Sequence, residues 1–212
     1  MTDWSLRPAD PDQVRWLDRR TVNRPYGQNP WLEDLVGQGW QAYARIFCEP
    51  TSAPSWASMA DRNGRVMHPL VEWDEIAAGH EIREGELPGN AWRALCEALS
   101  SATETPDSTY FLIWDVRDPV HRPELAQLPL VDYHDMTCRF AKAALSDIAE
   151  LRNWDQPDYL WPDDHAWTLM SHHDFEYFII GGNRELIDAI VQSPDLEALE
   201  VPADSRWGDE IN

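Results

Sequence analysis

Between positions 163 and 176 the chain gathers Asp163, Asp164, His165, His172, His173, Asp174 and Glu176. Imidazole and carboxylate groups ligate divalent metals and carry general acid–base chemistry, and a metal needs three or four of them within about 2.0–2.2 Å of the ion. Ala166–Ser171 and Phe175–Ile180 read as two strands joined through His172-His173-Asp174, and a hairpin brings its flanks together. Strand alternation works against one cluster: His165, Trp167, Leu169 and Ser171 share a face, whereas His172 and Asp174 take the other. The plainer reading is a polar hairpin tip, with Asp163 and Asp164 capping a turn after Pro162. Asp163, Asp164, His165, His172, Asp174 and Glu176 are the candidate binding residues, with no metal and no cofactor assigned to them.

Other constellations are thinner. His121, His134 and Asp135 lie near Asp132, and a strand over Leu130–Thr137 would put Asp132 and His134 on one face as an acid–base pair, with no nucleophile upstream. Alternation of polar residues along a half-exposed strand produces the same pattern. Gly37-Gln38-Gly39-Trp40-Gln41-Ala42 matches G-x-G-x-x-A, but a dinucleotide fingerprint must open a helix, and here the chain continues as a strand-like run. His80-Glu81-Ile82-Arg83-Glu84 has Glu where a zinc protease needs its second His. No G-x-S-x-G elbow, P-loop or EF-hand loop occurs.

The elements that must position these residues are read from periodicity. A helix is expected at 11–20 with Pro11 in its first turn, and a strand at Trp40–Cys48, which is rich in aromatic and β-branched side chains. A polar stretch then runs to Met67 with a turn at Asn63-Gly64, followed by a helix at Pro69–Ala78 ended by Gly79. Trp92, Leu95, Cys96 and Leu99 stripe a helix over Asn90–Leu99, and Ser108–Val116 is a strand apolar enough to be buried on both faces. Phe140–Leu151 reads as a helix. In the C-terminal third, Gly181-Gly182 breaks the second hairpin strand, Asn183 caps a helix through Val191, and Leu196–Val201 is a last strand. The expected class is α+β: one domain over 1–212, a mainly antiparallel sheet with helices packed on one face, and an irregular Pro- and Trp-rich segment 1–39 against it.

Two stretches carry a resemblance. One is Gly39-Trp40-Gln41-Ala42-Tyr43-Ala44-Arg45-Ile46-Phe47 with Pro50 and Met67-His68-Pro69-Leu70. The other is Leu160-Trp161-Pro162-Asp163-Asp164-His165-Ala166-Trp167, then Gly181-Gly182-Asn183-Arg184-Glu185-Leu186-Ile187 and Leu196-Glu197-Ala198-Leu199. Together they resemble a family of actinobacterial proteins with a G-[FW]-x-A-Y-A-R-[IV] strand and a W-P-x-D-x-x-W…G-G-x-x-x-L-I block. Cys48-Glu49 departs from the His-Pro expected after that strand. The resemblance implies a bacterial, intracellular, one-domain protein and assigns no activity to any residue.

Composition narrows the function classes. The 212 residues carry 17 Lys+Arg against 38 Asp+Glu, a formal net charge of −21. Residues 153–212 hold 2 basic and 14 acidic side chains, so the acidity is concentrated toward the C-terminus. This balance argues against nucleic acid and anionic membranes, whose phosphates are bound by Lys and Arg. Lys142 is the one lysine. No signal peptide and no apolar run near the ~20 residues of a membrane helix is read. Cys48, Cys96 and Cys138 are odd in number and form no C-x-x-C pair, so free buried thiols and a cytoplasmic location are expected.

Twelve tryptophans stand out. Trp73, Trp92, Trp114 and Trp167 fit a core; Trp4, Trp16, Trp31, Trp56, Trp154, Trp161 and Trp207 lie in Pro-rich or polar surroundings, where a partly exposed aromatic patch is expected. Two functions compete on these grounds. One is a non-catalytic acidic protein that binds a basic partner, as immunity proteins bind cationic toxins. The other is a metal-assisted hydrolase or isomerase built on the 163–176 segment. A homodimer is compatible with either.

Overall fold

The computed structural model describes residues 6–7, 9–21, 31–51, 54–77, 79–116, 123–134, 136–152, 155–172 and 175–205. Eight strands among them form one sheet: β1 (Ala42–Phe47), β2 (Thr109–Trp114), β3 (Leu130–Tyr133), β4 (Met136–Ala143), β5 (Tyr159–Pro162), β6 (Thr168–Met170), β7 (Tyr177–Gly182) and β8 (Ala198–Val201). The order is β3-β4-β2-β5-β6-β7-β1-β8, and every neighbouring pair is antiparallel. The first strand in the chain is therefore clasped between the last two. The class is α+β, as the sequence implies.

Alternation along the strands creates two cores. Ala42, Ala44 and Ile46 of β1, with Phe111 and Ile113 of β2 and Phe178 and Ile180 of β7, face one side. There they meet α5 (Gly89–Ser101), α6 (Leu145–Ile148) and α7 (Arg184–Val191). Tyr43, Phe47, Tyr110, Leu112, Tyr177 and Ile179 face the other side, against α1 (Asp12–Arg20), α2 (Leu32–Val36), α3 (Trp56–Arg62) and α4 (Trp73–Ala77). The helices thus cover both faces rather than the one expected. Strands that are apolar on alternate sides leave a second oily surface, and the proline-punctuated N-terminal segment, folded into short helices, removes it from water.

Several elements differ from the periodicity reading. Leu130–Thr137 is not one strand: the chain reverses at His134, whose φ of +49° suits a tight hairpin turn, and β4 runs on to Ala143. Only Leu145–Ile148 of the expected helix 140–151 is helical. Phe140 and Ala144 satisfy both a 3.6 and a 2 period, and pairing with β2 decides for strand. The polar stretch before Met67 contains α3. Ser55 Oγ accepts from Ser58 N at 3.0 Å, while the Glu197 carboxylate accepts from Trp56 N and Ala57 N at 2.7 Å each. β7 continues through Gly181, where a Cβ would lie 2.2 Å from Trp40 Cδ1, so the glycine makes room for an indole rather than ending the strand.

Tryptophan indoles staple the loops to this frame. Trp40, Trp56, Trp73, Trp92 and Trp167 each donate Nε1–H to a backbone carbonyl, of Val36, Cys48, His80, Ile148 and Leu99, at 2.8–3.1 Å. Trp56 and Trp161 are fully buried, contrary to their polar sequence surroundings. Trp16, Trp31, Trp40 and Trp114 are half-buried, and Trp4, Trp154 and Trp207 lie outside the described residues.

Candidate functional site

The 163–176 residues are divided by the strand between them. Asp163, Asp164 and His165 follow β5, and His172 and Glu176 lie beyond the far end of β6. At about 3.3 Å per residue the extended chain from 165 to 172 separates them by roughly 20 Å. His173 and Asp174 lie outside the described residues. Among the described residues, no three His, Cys, Asp or Glu side chains converge as a metal site.

Each member has its own local partner. Asp163 Oδ1 accepts from the Tyr110 hydroxyl at 2.6 Å, and burial with this carboxylate pushes the phenol's pKa up. Asp164 ties two loops together, accepting from Thr103 Oγ1 at 2.8 Å, Glu104 N at 2.6 Å and Ala166 N at 3.1 Å. His165 takes a left-handed backbone (φ +57°) and lays its ring on Trp16, centroids 3.9 Å apart and 6° from parallel. Its Nε2 lies 2.9 Å from Gln13 Oε1, and burial lowers its pKa, so the neutral ring donates to the amide oxygen. His172 lies between Trp114 and Phe175, ring centroids 5.5 and 5.2 Å away. Glu176 Oε2 accepts from Trp73 N at 2.9 Å at the start of α4, and burial raises its pKa.

Next to Glu176 is a cluster that the sequence reading missed. Arg45, 1% exposed, holds its guanidinium carbon 3.5 Å from the Tyr177 ring centroid. Its Nη1 donates to Pro69 O at 3.0 Å and its Nη2 to Glu72 Oε1 at 3.3 Å. Burial pushes Glu72 up to about 7, against the opposing pull of Arg45. A carboxyl that titrates near neutrality beside a fixed cation suits acid–base chemistry. Here Nη1 and Nη2 of the cation are taken by Pro69 and Glu72, Nε is buried without a hydrogen-bond partner among the described residues, and the cluster docks the segment 67–77 onto β1 and β7. The one signal in the sequence was a charged residue inside the apolar run Ala42–Phe47.

His134 also finds a partner that spacing did not suggest. Its Nδ1 lies 3.2 Å from Asp18 Oδ1 and its Nε2 3.0 Å from Thr21 Oγ1, while Asp132 instead accepts from Thr137 Oγ1 at 3.2 Å. Hydroxyl, imidazole and carboxylate stand in the order of a nucleophilic triad. Thr21 is 6% exposed, bonds the Tyr133 hydroxyl at 2.8 Å and donates to Leu17 O at 3.0 Å. The array closes the C-terminal end of α1, and the Thr21 hydroxyl is already taken up by Leu17 O, Tyr133 and His134. His121 and Asp135 lie outside the described residues.

The end of the molecule that carries Asp163 is acidic and concave. Asp10, Asp12, Glu104, Asp107, Asp163, Asp164, Glu185 and Asp188 are all exposed there. A cleft of about 610 Å3 opens between the end of α5 and the start of α7, with Glu104, Asp164 and Glu185 in its wall. Of the nearby bases, Arg7 donates to Asp107 O, Arg15 pairs with Asp12, Arg184 pairs with Glu200 and Asp188, and the Lys142 ammonium lies 5.5 Å from the Tyr110 ring centroid. No family model, no curated protein and no solved structure matches the chain.

Proposed function

We propose that the protein is a non-catalytic binding protein whose acidic surface engages a basic protein partner, in the way an immunity protein meets a cationic toxin. The observation that carries this reading is the concentration of exposed carboxylates around the Asp163 end, on a chain of net charge −21. Complementary fields accelerate encounter and select partners without any catalytic group. Arg15, paired with Asp12, Arg184, paired with Asp188 and Glu200, and Lys142 over the Tyr110 ring each offset part of this field, and the more numerous carboxylates leave the end net negative.

The cytoplasm is the compartment proposed. No helix among the described residues is long and apolar enough to cross a membrane. All three cysteines are free and buried, and burial pushes the Cys48 and Cys138 thiols up to about 12. Thiols held protonated in this way suit a reducing compartment.

Affinity capture at low salt from the source cell, followed by reconstitution with the purified captured protein, tests the reading. A partner of basic pI is expected, its affinity falling about tenfold or more as NaCl rises from ~50 to ~300 mM. A partner without basic character, or binding indifferent to salt, would overturn it.

A further inference from the structure

Three features of the cleft between α5 and α7 bear on what enters it. Its walls are apolar where the helices approach, with Ala98 on α5, Ala102 just after its end, and Leu186 and Ala189 on α7. Such walls leave room for the aliphatic stem of a long side chain. Its lining includes Glu104 and Glu185, both exposed and without an ion pair among the described residues. Asp164 is held in the wall by its bonds to Thr103, Glu104 and Ala166.

The helix ends add to this field. The thirteen-residue α5 stops at Ser101 with no basic side chain in its last turn; Leu99 O accepts from Trp167 Nε1 and Ala102 N, and the partial negative charge of this helix end meets no cation of the helix itself. The positive end of α7 is already closed: Asn183 Oδ1 accepts from Leu186 N at 2.8 Å, and Glu185 lies in the first turn. Arg184, which precedes Glu185 in the chain, pairs with Glu200 at 2.7 Å. The cleft therefore presents an apolar sleeve with a negative rim, complementary to a cation on an aliphatic stem.

Resting on the binding reading above, we propose that this cleft is the docking site for an arginine-bearing basic segment of the partner protein. The guanidinium sits between Glu104 and Glu185 at the end of α5, and its stem lies along the alanines. Arginine fits better than lysine, because its planar fork bonds carboxylate and carbonyl oxygens together and sheds water more readily.

A short fluorescein-labelled peptide of alternating Arg and Ala, followed by fluorescence anisotropy at ~50 mM NaCl, tests the site. Binding is expected to weaken about fivefold or more in the Glu104→Gln/Glu185→Gln double variant. Ala189→Trp, which fills the cleft from an exposed helix position and leaves the charge unchanged, is expected to do the same. Asp61→Asn/Asp74→Asn, on α3 and α4, removes as much charge elsewhere and is expected to change affinity less than about twofold. Circular dichroism establishes that each variant is folded. Equal weakening in the two double variants, with Ala189→Trp binding normally, overturns the site while leaving an acidic binding protein. A wild-type protein that does not bind the peptide also overturns it, and the broader reading is then decided by the partner capture.

Discussion

Glu72 shows how burial and pairing act on one side chain. Burial raises its folded-state pKa to about 7 from 4.5, so between those values the folded chain holds a proton that the unfolded chain has lost. Its contribution to stability is complete below pH 4.5 and disappears as pH rises toward 7, by at most about 3 kcal/mol. Glu72→Gln should therefore flatten that part of the stability profile in urea titrations between pH 4.5 and 7, and a variant as pH-dependent as wild type would contradict this. His165 works in the opposite sense: burial lowers its pKa, so stability is lost as pH falls below about 6.5, and comparing each variant with wild type separates the two. A different residue-scale cost is visible on β5 and β6, where Trp161 Nε1 and Thr168 Oγ1 are buried with no hydrogen-bond partner among the described residues. Thr168→Val keeps the shape and removes the hydroxyl, and a gain of about 1 kcal/mol in unfolding free energy is expected.

At the scale of elements, stability rests on how short helices are ended. α7 has eight residues, and Asn183 supplies its N-cap through the 2.8 Å bond to Leu186 N. Asn183→Ala should cost about 1 kcal/mol in denaturant unfolding, without changing the m-value. α3 depends on a distant residue: Glu197, just before β8, accepts from the first two amides of the helix. Glu197→Ala leaves two backbone donors without their acceptor, and its cost should exceed that of removing the local Ser55 cap. Equal costs for Glu197→Ala and Ser55→Ala would mean that water replaces the carboxylate.

The whole molecule carries a charge of −21 on 212 residues, and like charges at this density repel across the surface. Added salt screens the repulsion, so the melting temperature should rise between ~20 and ~300 mM NaCl, in contrast with the weakening of partner binding over the same range. A melting temperature that falls with salt would mean that ion pairs such as Arg184–Glu200 and Arg139–Asp115 outweigh the net charge. Burial on both sides of the sheet gives the frame that holds this surface. β1 lies between β7 and β8, so N- and C-terminal segments fold as one unit, and the acidic C-terminal third cannot detach from it.

Local chemistry determined a large part of this protein. The apolar run of β2, the stripe Trp92–Leu99 on α5, the Asn183 cap, the hairpin of β6 and β7 and the free thiols are all set by side-chain period and type. Tertiary structure decided wherever two periods fit the same residues, as at Phe140–Ala143, or where a cap came from afar, as at Glu197. It also decided the candidate site. The acidic and histidine residues of 163–176 are neighbours in sequence, but an extended strand carries them to opposite ends of the sheet, whereas Arg45, Glu72 and Glu176 are remote in sequence and meet. Sequence spacing encodes geometry only within an element; between elements, strand pairing and the burial of both sheet faces set which side chains converge.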